Sequence, residues 1–301
     1  MDELDSTLGI DFGTSNTSIF CRKRGRVTQL EIDKNNKLLR SAIRYTEKGI
    51  ICGESAIAKA NEADLLVLSV KRILGVKSMD DEEIENDIYG CKLRRDNNGD
   101  YQFFNPNSKS TICKSPIEVV TDIFKYIKSE SEEKEQHEFK NVFLSYPSTF
   151  QMNQRAALRK AAENAGFSIL GMITEPTAAG VHYREKGWIQ EKDVVLVFDF
   201  GGGTLDLSLM VYEDNSFNIF ASGGNGKLGG NDVDLLILNY IEGEYRKRYN
   251  CELLNKANER HYYRELNKIL KEIEIQKKIL QDPRNDRVEI DVDEYNEICK
   301  G

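Results

Sequence analysis

Val194-Val195-Leu196-Val197-Phe198-Asp199-Phe200-Gly201-Gly202-Gly203-Thr204-Leu205-Asp206-Leu207-Ser208-Leu209 decides how the rest of the chain is read. Five apolar residues open it, which predicts a strand buried on both faces. An acid sits where that strand ends, and three glycines follow. Alternation then resumes through Leu205, Leu207 and Leu209, so a second strand leaves the turn. Consecutive glycines let backbone N–H groups approach an anion without a Cβ in the way. Asp199 and Asp206 flank the loop, and two acids beside a phosphate cradle suggest a magnesium ion. A plain hairpin needs only Asn-Gly, so the stretch favours a phosphate loop over a bare tight turn.

The pattern occurs twice. Near the start, Thr7-Leu8-Gly9-Ile10-Asp11-Phe12-Gly13-Thr14-Ser15-Asn16-Thr17-Ser18-Ile19-Phe20 again carries an apolar strand into Asp-Phe-Gly, a turn of small residues and an alternating strand. A third strand follows each copy, at 27–32 and at 216–221. An internal repeat on this scale argues for two similar lobes, each offering a hairpin loop to one nucleotide held between them.

Composition limits the alternatives. The 301 residues make one large or two ordinary domains, 40% apolar and 31% charged, which is enough to build a core. A net charge of −8, with basic residues interspersed among acids, argues against nucleic-acid binding. Six scattered cysteines without a Cys-x-x-Cys pair, and three distant histidines, argue against zinc and for reduced thiols. The acidic start Met1-Asp2-Glu3-Leu4-Asp5 is no secretory signal. No apolar run approaches the roughly 20 residues of a membrane span, so the expectation is a cytoplasmic protein with no membrane partner.

Between the lobes' repeated hairpins, residues 34–114 read as an insertion, with a turn at Asp96-Asn97-Asn98-Gly99-Asp100. Lys71-Arg72 inside it has the local look of a solvated pair. Ser115-Pro116-Ile117-Glu118 is a capped helix start, and Ile117, Val120, Thr121, Phe124 and Ile127 mark its buried face. That helix is expected to fade into a solvated end over 129–135. A strand at 142–145, halted by Pro147, precedes an alanine-rich helix over 151–165 closed by Gly166. A strand at 169–174 then leads into Glu175-Pro176, where Glu175 reads equally well as a cap or as a carboxylate aimed at a ligand. Asn231 reads as an N-cap with Asp234 as a first-turn acid; 232–281 is helical and charged, and 288–292 alternates like a strand.

Several familiar patterns are misleading. Gly224-x-Gly226-x-x-Gly229 fits the dinucleotide fingerprint but lacks its strand–turn–helix setting. Asp-Phe-Gly occurs without a kinase His-Arg-Asp loop, there is no Walker A sequence, and His137, His182 and His261 have no nucleophile partner in a recognisable setting.

Taken together, Ile10-Asp11-Phe12-Gly13-Thr14-Ser15-Asn16, Phe198 to Asp206, Tyr146-Pro147-Ser148-Thr149-Phe150 with Gln154-Arg155, Thr174-Glu175-Pro176-Thr177-Ala178-Ala179, Val70-Lys71-Arg72-Ile73-Leu74-Gly75 and Leu228-Gly229-Gly230-x-Asp232-x-Asp234 resemble the actin-like ATPase superfamily. Within it, the set is similar to the heat shock protein 70 (DnaK-type) chaperones. The resemblance implies an α/β, two-lobed actin-like (ribonuclease H-like) fold. Lobe I would span 1–187 with an insertion at about 39–114. Lobe II would span 188–301 with a helical insertion at about 229–301. It implies ATP or ADP, Mg2+ and K+ as cofactors. By resemblance Gly13, Thr14, Ser15 and Asn16, with Gly201, Gly202, Gly203 and Thr204, cradle the phosphates. Asp11, Asp199 and Asp206 hold cations, largely through water. Lys71 and Glu175 flank the attacking water, with Asp199 and Thr204 completing the catalytic set. Glu274, Lys277, Lys278 and Gln281 align with residues around the adenosine.

The resemblance also implies a function: an ATP-hydrolysing domain that gates the binding and release of unfolded polypeptide through a further domain. J-domain co-chaperones and nucleotide-exchange factors would be its partners. The alternative is a non-hydrolysing interaction module that keeps the fold. The chain departs from the family at Lys278, where an arginine stacks on the base, and at Thr149, Gln151 and Met152 after Pro147. The family's domain continues for roughly another 80 residues, including an adenosine motif of type Gly-Gly-x-x-Arg-x-Pro. The expectation is therefore a second lobe incomplete at its C-terminus, with an open apolar sheet edge, marginal stability and weak nucleotide binding.

Overall fold

A computed structural model describes residues 3–23, 25–34, 36–58, 63–77, 90–105, 112–256 and 259–292. In chain order the first lobe holds β1 (Thr7–Phe12), β2 (Asn16–Lys23), β3 (Arg26–Gln29), β4 (Leu38–Arg40), β5 (Ile43–Thr46), β6 (Gly49–Cys52), α1 (Glu54–Ala58), β7 (Leu65–Val67), β8 (Lys92–Arg95), β9 (Tyr101–Phe104), β10 (Cys113–Lys114), α2 (Pro116–Glu135), β11 (Asn141–Tyr146), α3 (Met152–Asn164) and β12 (Ser168–Thr174). Helix α4 (Glu175–Glu185) leads to the second lobe. There β13 (Val194–Phe200), β14 (Leu205–Glu213) and β15 (Ser216–Asn225) precede α5 (Gly230–Tyr249) and α6 (Glu259–Ile279).

The main sheet runs β12-β11-β1-β2-β3, with β4 also paired to β2. Strands β1, β11 and β12 are parallel, and β2 returns antiparallel to β1. Parallel strands must be covered on both faces, and the sequence supplies the cover. Ser115 accepts from the Glu118 amide while the Glu118 carboxylate returns to Ser115 N, so α2 starts where its capping box lies. Its Val119, Val120, Ile123, Phe124 and Ile127 are buried in the core with Leu8, Ile10 and Phe12. The helix runs on to Glu135 with Ser131 fully buried, rather than fading at 129 as the charge run suggested. The pairs Lys128–Glu132 and Lys23–Glu135 account for that extension.

The insertion forms two small sheets, β6-β5-β7 and β10-β9-β8. Asp96 accepts from the amides of Asn98 and Asp100 to make the predicted turn between β8 and β9. Cys21, Cys52, Cys91 and Cys113 form no disulfide, whereas Cys251 is disulfide-bonded, against the expectation of reduced thiols throughout.

The second lobe corrects the reading of its first strand. Among the described residues, strand β13 is an outer strand of the sheet β13-β14-β15, not a strand buried on both faces. Val194, Leu196 and Phe198 are each more than 60% exposed, and Phe200 is 48% exposed. One face of the sheet packs on α4, where a Cβ at Gly180 would meet Met210 and Phe217 side chains. The other face presents the pairs Val194–Val211, Leu196–Leu209, Phe198–Leu207 and Phe200–Leu205. Helices α5 and α6 build a separate core from Leu238, Tyr245, Leu266, Ile269 and Ile273, onto which Ile290 and Val292 pack. Residues 285–292 carry no strand, against the alternation at 288–292 that predicted one.

Candidate functional site

Each hairpin is held by contacts that exclude side chains. A Cβ at Gly13 would stand 2.2 Å from Asn16 O, so only glycine fits there. Ser41, just after β4, donates to Gly13 O at 2.8 Å and receives its own backbone amide's anchorage from Ser15 O at 2.9 Å. In the second hairpin Gly201 N donates to Thr204 O at 2.9 Å, and Asp199 lies directly opposite Asp206. The two loops come together from opposite lobes. A Cβ on Gly202 would lie 2.1 Å from Ser15 Oγ, and one on Gly203 would lie 2.5 Å from a Thr14 methyl.

A third segment closes on both. Gly230 N donates to Gly201 O at 3.0 Å and Asn231 N to Gly202 O at 2.8 Å. Ser15 Oγ donates to Asn231 Oδ1 at 3.1 Å. Helix α5 therefore begins at Gly230, with Asp232 accepting from Gly229 N. Asn231 is not its N-cap, and Asp234, a first-turn acid in the sequence reading, lies further along the helix and pairs with Lys277 at 2.7 Å.

Lys71 and Arg72 are buried, not solvated. They sit on a short helical turn, Val70–Ile73, which follows Ser69 in the left-handed region at φ 51°. Lys71 Nζ donates to Glu175 Oε1 at 2.7 Å. Arg72 reaches across to lobe II, donating to Gly203 O at 2.8 Å and Asp232 Oδ2 at 2.6 Å. Glu175 is the first residue of α4, and the cap is Thr174, whose hydroxyl accepts from Thr177 N.

Burial pushes the Glu175 carboxyl above its usual range. The charge and hydrogen bond of Lys71 pull it back, and Asp11 and Asp199 push it up again. Asp199 is also raised, first by burial, then by Asp206 and Asp11, with Lys71 opposing. The acids thus repel one another around a single lysine, and this donor set fits a divalent cation. Asp11, Asp199 and Asp206 are the residues that would hold magnesium there.

A cleft of about 500 Å3 opens above the loops, lined by Thr14, Ser15, Asn16, Arg40, Glu274 and Lys278 among others. Lys71, Glu175 and the three aspartates do not line it, and neither do Lys277 and Gln281. Arg40 donates a two-pronged pair to Glu274 at 2.9 and 3.0 Å, and Lys278 pairs with the same carboxylate at 2.7 Å. Burial pushes Glu274 up, but these cations more than offset it and hold its pKa below the usual range. Lys277 donates to Gly230 O at 2.8 Å. Gln281 lies in the exposed turn after α6, its amide donating to Lys278 O.

Sequence reading missed Arg40, Ser41 and Ser69, because isolated polar residues at strand and loop ends carry no local signal. Ser69 accepts from Asn231 Nδ2 at 3.2 Å. Arg72 carried a signal only as part of its motif.

The comparisons agree with this geometry. The family described as Hsp70 protein matches residues 7–298. A protein named chaperone protein HscA homolog from Vibrio parahaemolyticus serotype O3:K6 (strain RIMD 2210633) is 32% identical over 235 residues, 77% of this chain and 37% of the relative. One of the same name from Pseudoalteromonas atlantica (strain T6c / ATCC BAA-1087) is 31% identical over 264 residues, 83% of this chain and 40% of the relative. The chain thus spans about two fifths of the length of these relatives. With a two-lobed fold, paired glycine loops and a family match over nearly its whole length, this chain belongs to the Hsp70 family.

Proposed function

We propose that the chain is the ATP-binding and ATP-hydrolysing part of a chaperone, coupling nucleotide state to binding and release of unfolded polypeptide. J-domain co-chaperones and nucleotide-exchange factors would act on it. The observation that carries this reading is the buried Lys71–Glu175 pair, set among three acids that form no ion pair among the described residues.

Phosphoryl transfer to water needs positioning and charge neutralisation more than covalent help. Amides of Gly13 to Asn16 and Gly201 to Thr204 would orient the phosphates, with Thr204 completing the catalytic set by resemblance. Asp11, Asp199 and Asp206 would hold magnesium, which neutralises phosphate charge when bound. Lys71 and Glu175 hold the attacking water in line. Glu274 and Lys278, which line the cleft, are assigned to the adenosine end; Lys277 and Gln281, which align with the same group by resemblance, lie outside the cleft.

Single-turnover ATP hydrolysis tests the assignment. Lys71→Ala or Glu175→Ala should slow hydrolysis while leaving nucleotide affinity nearly unchanged. A parallel fall in affinity with no separate rate effect would move both residues into binding. Nucleotide binding without turnover in the unmodified chain would favour the non-hydrolysing module.

A further inference from the structure

Two of the three aspartates are each held by a neutral hydroxyl, and both hydroxyls come from one short segment of lobe I. Ser145, near the end of β11, donates to Asp11 Oδ1 at 2.6 Å. Thr149, in the turn after β11, crosses to lobe II and donates to Asp206 Oδ1 at 2.9 Å. Ser148 bonds Ser208 across the same boundary at 3.1 Å. The ring of Phe150 stands 5.7 Å from Lys71 Nζ, so the segment touches the lysine as well.

The segment is itself braced. Phe150 N donates to Pro147 O at 3.0 Å, and Arg155 Nε donates to Phe150 O at 2.9 Å. The Arg155 guanidinium also lies 5.2 Å over the Tyr146 ring. Ser145 and Asp206 are buried.

We infer that Ser145 and Thr149 are positioning residues for the cation site, an inference that rests on the proposed Mg-nucleotide reading. A hydroxyl fixes one oxygen of a carboxylate without cancelling its charge, whereas a lysine or arginine would neutralise it. Oδ2 of Asp11 and Oδ2 of Asp206 have no protein donor among the described residues. Each acid is therefore left with one oriented oxygen for hydrated magnesium. Because Thr149 and Asp206 belong to different lobes, the orientation of Asp206 by Thr149 exists only while the lobes are closed on one another.

The test compares Thr149→Val, Thr149→Ser and Ser145→Ala by calorimetric titration with ADP, in magnesium and in EDTA, alongside melting of the nucleotide-free protein. Thr149→Val should weaken ADP binding about tenfold in magnesium, as expected for a lost bond to a charged group. In EDTA its affinity should stay within about twofold of the unmodified chain. Thr149→Ser, which keeps the hydroxyl, should behave like the unmodified chain, and Ser145→Ala should follow Thr149→Val. Equal losses in both media, accompanied by a lower melting temperature, would make the hydroxyls structural and overturn the inference while leaving the nucleotide reading intact. No loss in either medium would overturn it in the same way. Magnesium-independent binding by the unmodified chain would overturn both.

Discussion

Strands β1 and β13 run into the same Asp-Phe-Gly turn, yet they sit in opposite surroundings. Leu8, Ile10 and Phe12 on β1 are at most 2% exposed, enclosed by α2 and the neighbouring parallel strands. Leu196 and Phe198 on β13 are more than 60% exposed, although their sequence is the more apolar of the two. The hairpins at the ends of these strands nevertheless converge on one site. Loop conformation depends on local backbone terms, namely glycine and cross-strand pairing. Burial depends on what else the chain lays over the strand.

Substitutions at matched positions should expose that difference most strongly. Phe12→Ala removes a ring that packs edge-on against Phe124 at 5.4 Å; it should cost about 3–5 kcal/mol. Phe198→Ala should change stability by no more than about 0.5 kcal/mol. Denaturant melts of the two variants check this, and equal losses would break the comparison.

Hydrogen exchange offers a second check. Amides of β1 and β11, central in the main sheet, should be protected about a thousandfold more than the outward amides of β13. Uniform protection across both sheets would mean that the exposed face is covered in solution.

A smaller effect concerns pH. Asp199 and Glu175 have folded pKa values above their ordinary ones, chiefly through burial. Between the ordinary and the raised values the native state binds more protons than the unfolded chain. Their contribution is therefore most favourable below the ordinary carboxylate range and is lost as pH rises through the folded values. Asp199→Asn should raise the melting temperature of the nucleotide-free protein at pH 7 by on the order of a degree or two, and the gain should shrink toward pH 4. A variant that melts lower at pH 7 would contradict the electrostatic account.

Where the residues that make an element also determine its shape, the sequence was a sufficient guide. The constraints on Gly13 and Gly201, the Ser115 capping box and the Asp96 turn depend on contacts within four residues, and all form where their residues predict. The burial of β13 was misread because an apolar run says that a strand can be buried, not that a second layer covers it. Arg40 and Glu274, and likewise Thr149 and Asp206, meet only because the lobes close. No periodicity or spacing encodes a pairing 234 or 57 residues apart.

The central claim is that two unequally buried hairpins serve one nucleotide as equals. Affinity for ADP in magnesium, measured for the unmodified chain, Asp11→Asn and Asp199→Asn, tests it most directly. Both variants should lose binding by about tenfold or more in magnesium and little in EDTA. Loss confined to Asp11→Asn would contradict the account, leaving the lobe II hairpin a turn of the right shape without a share in the site.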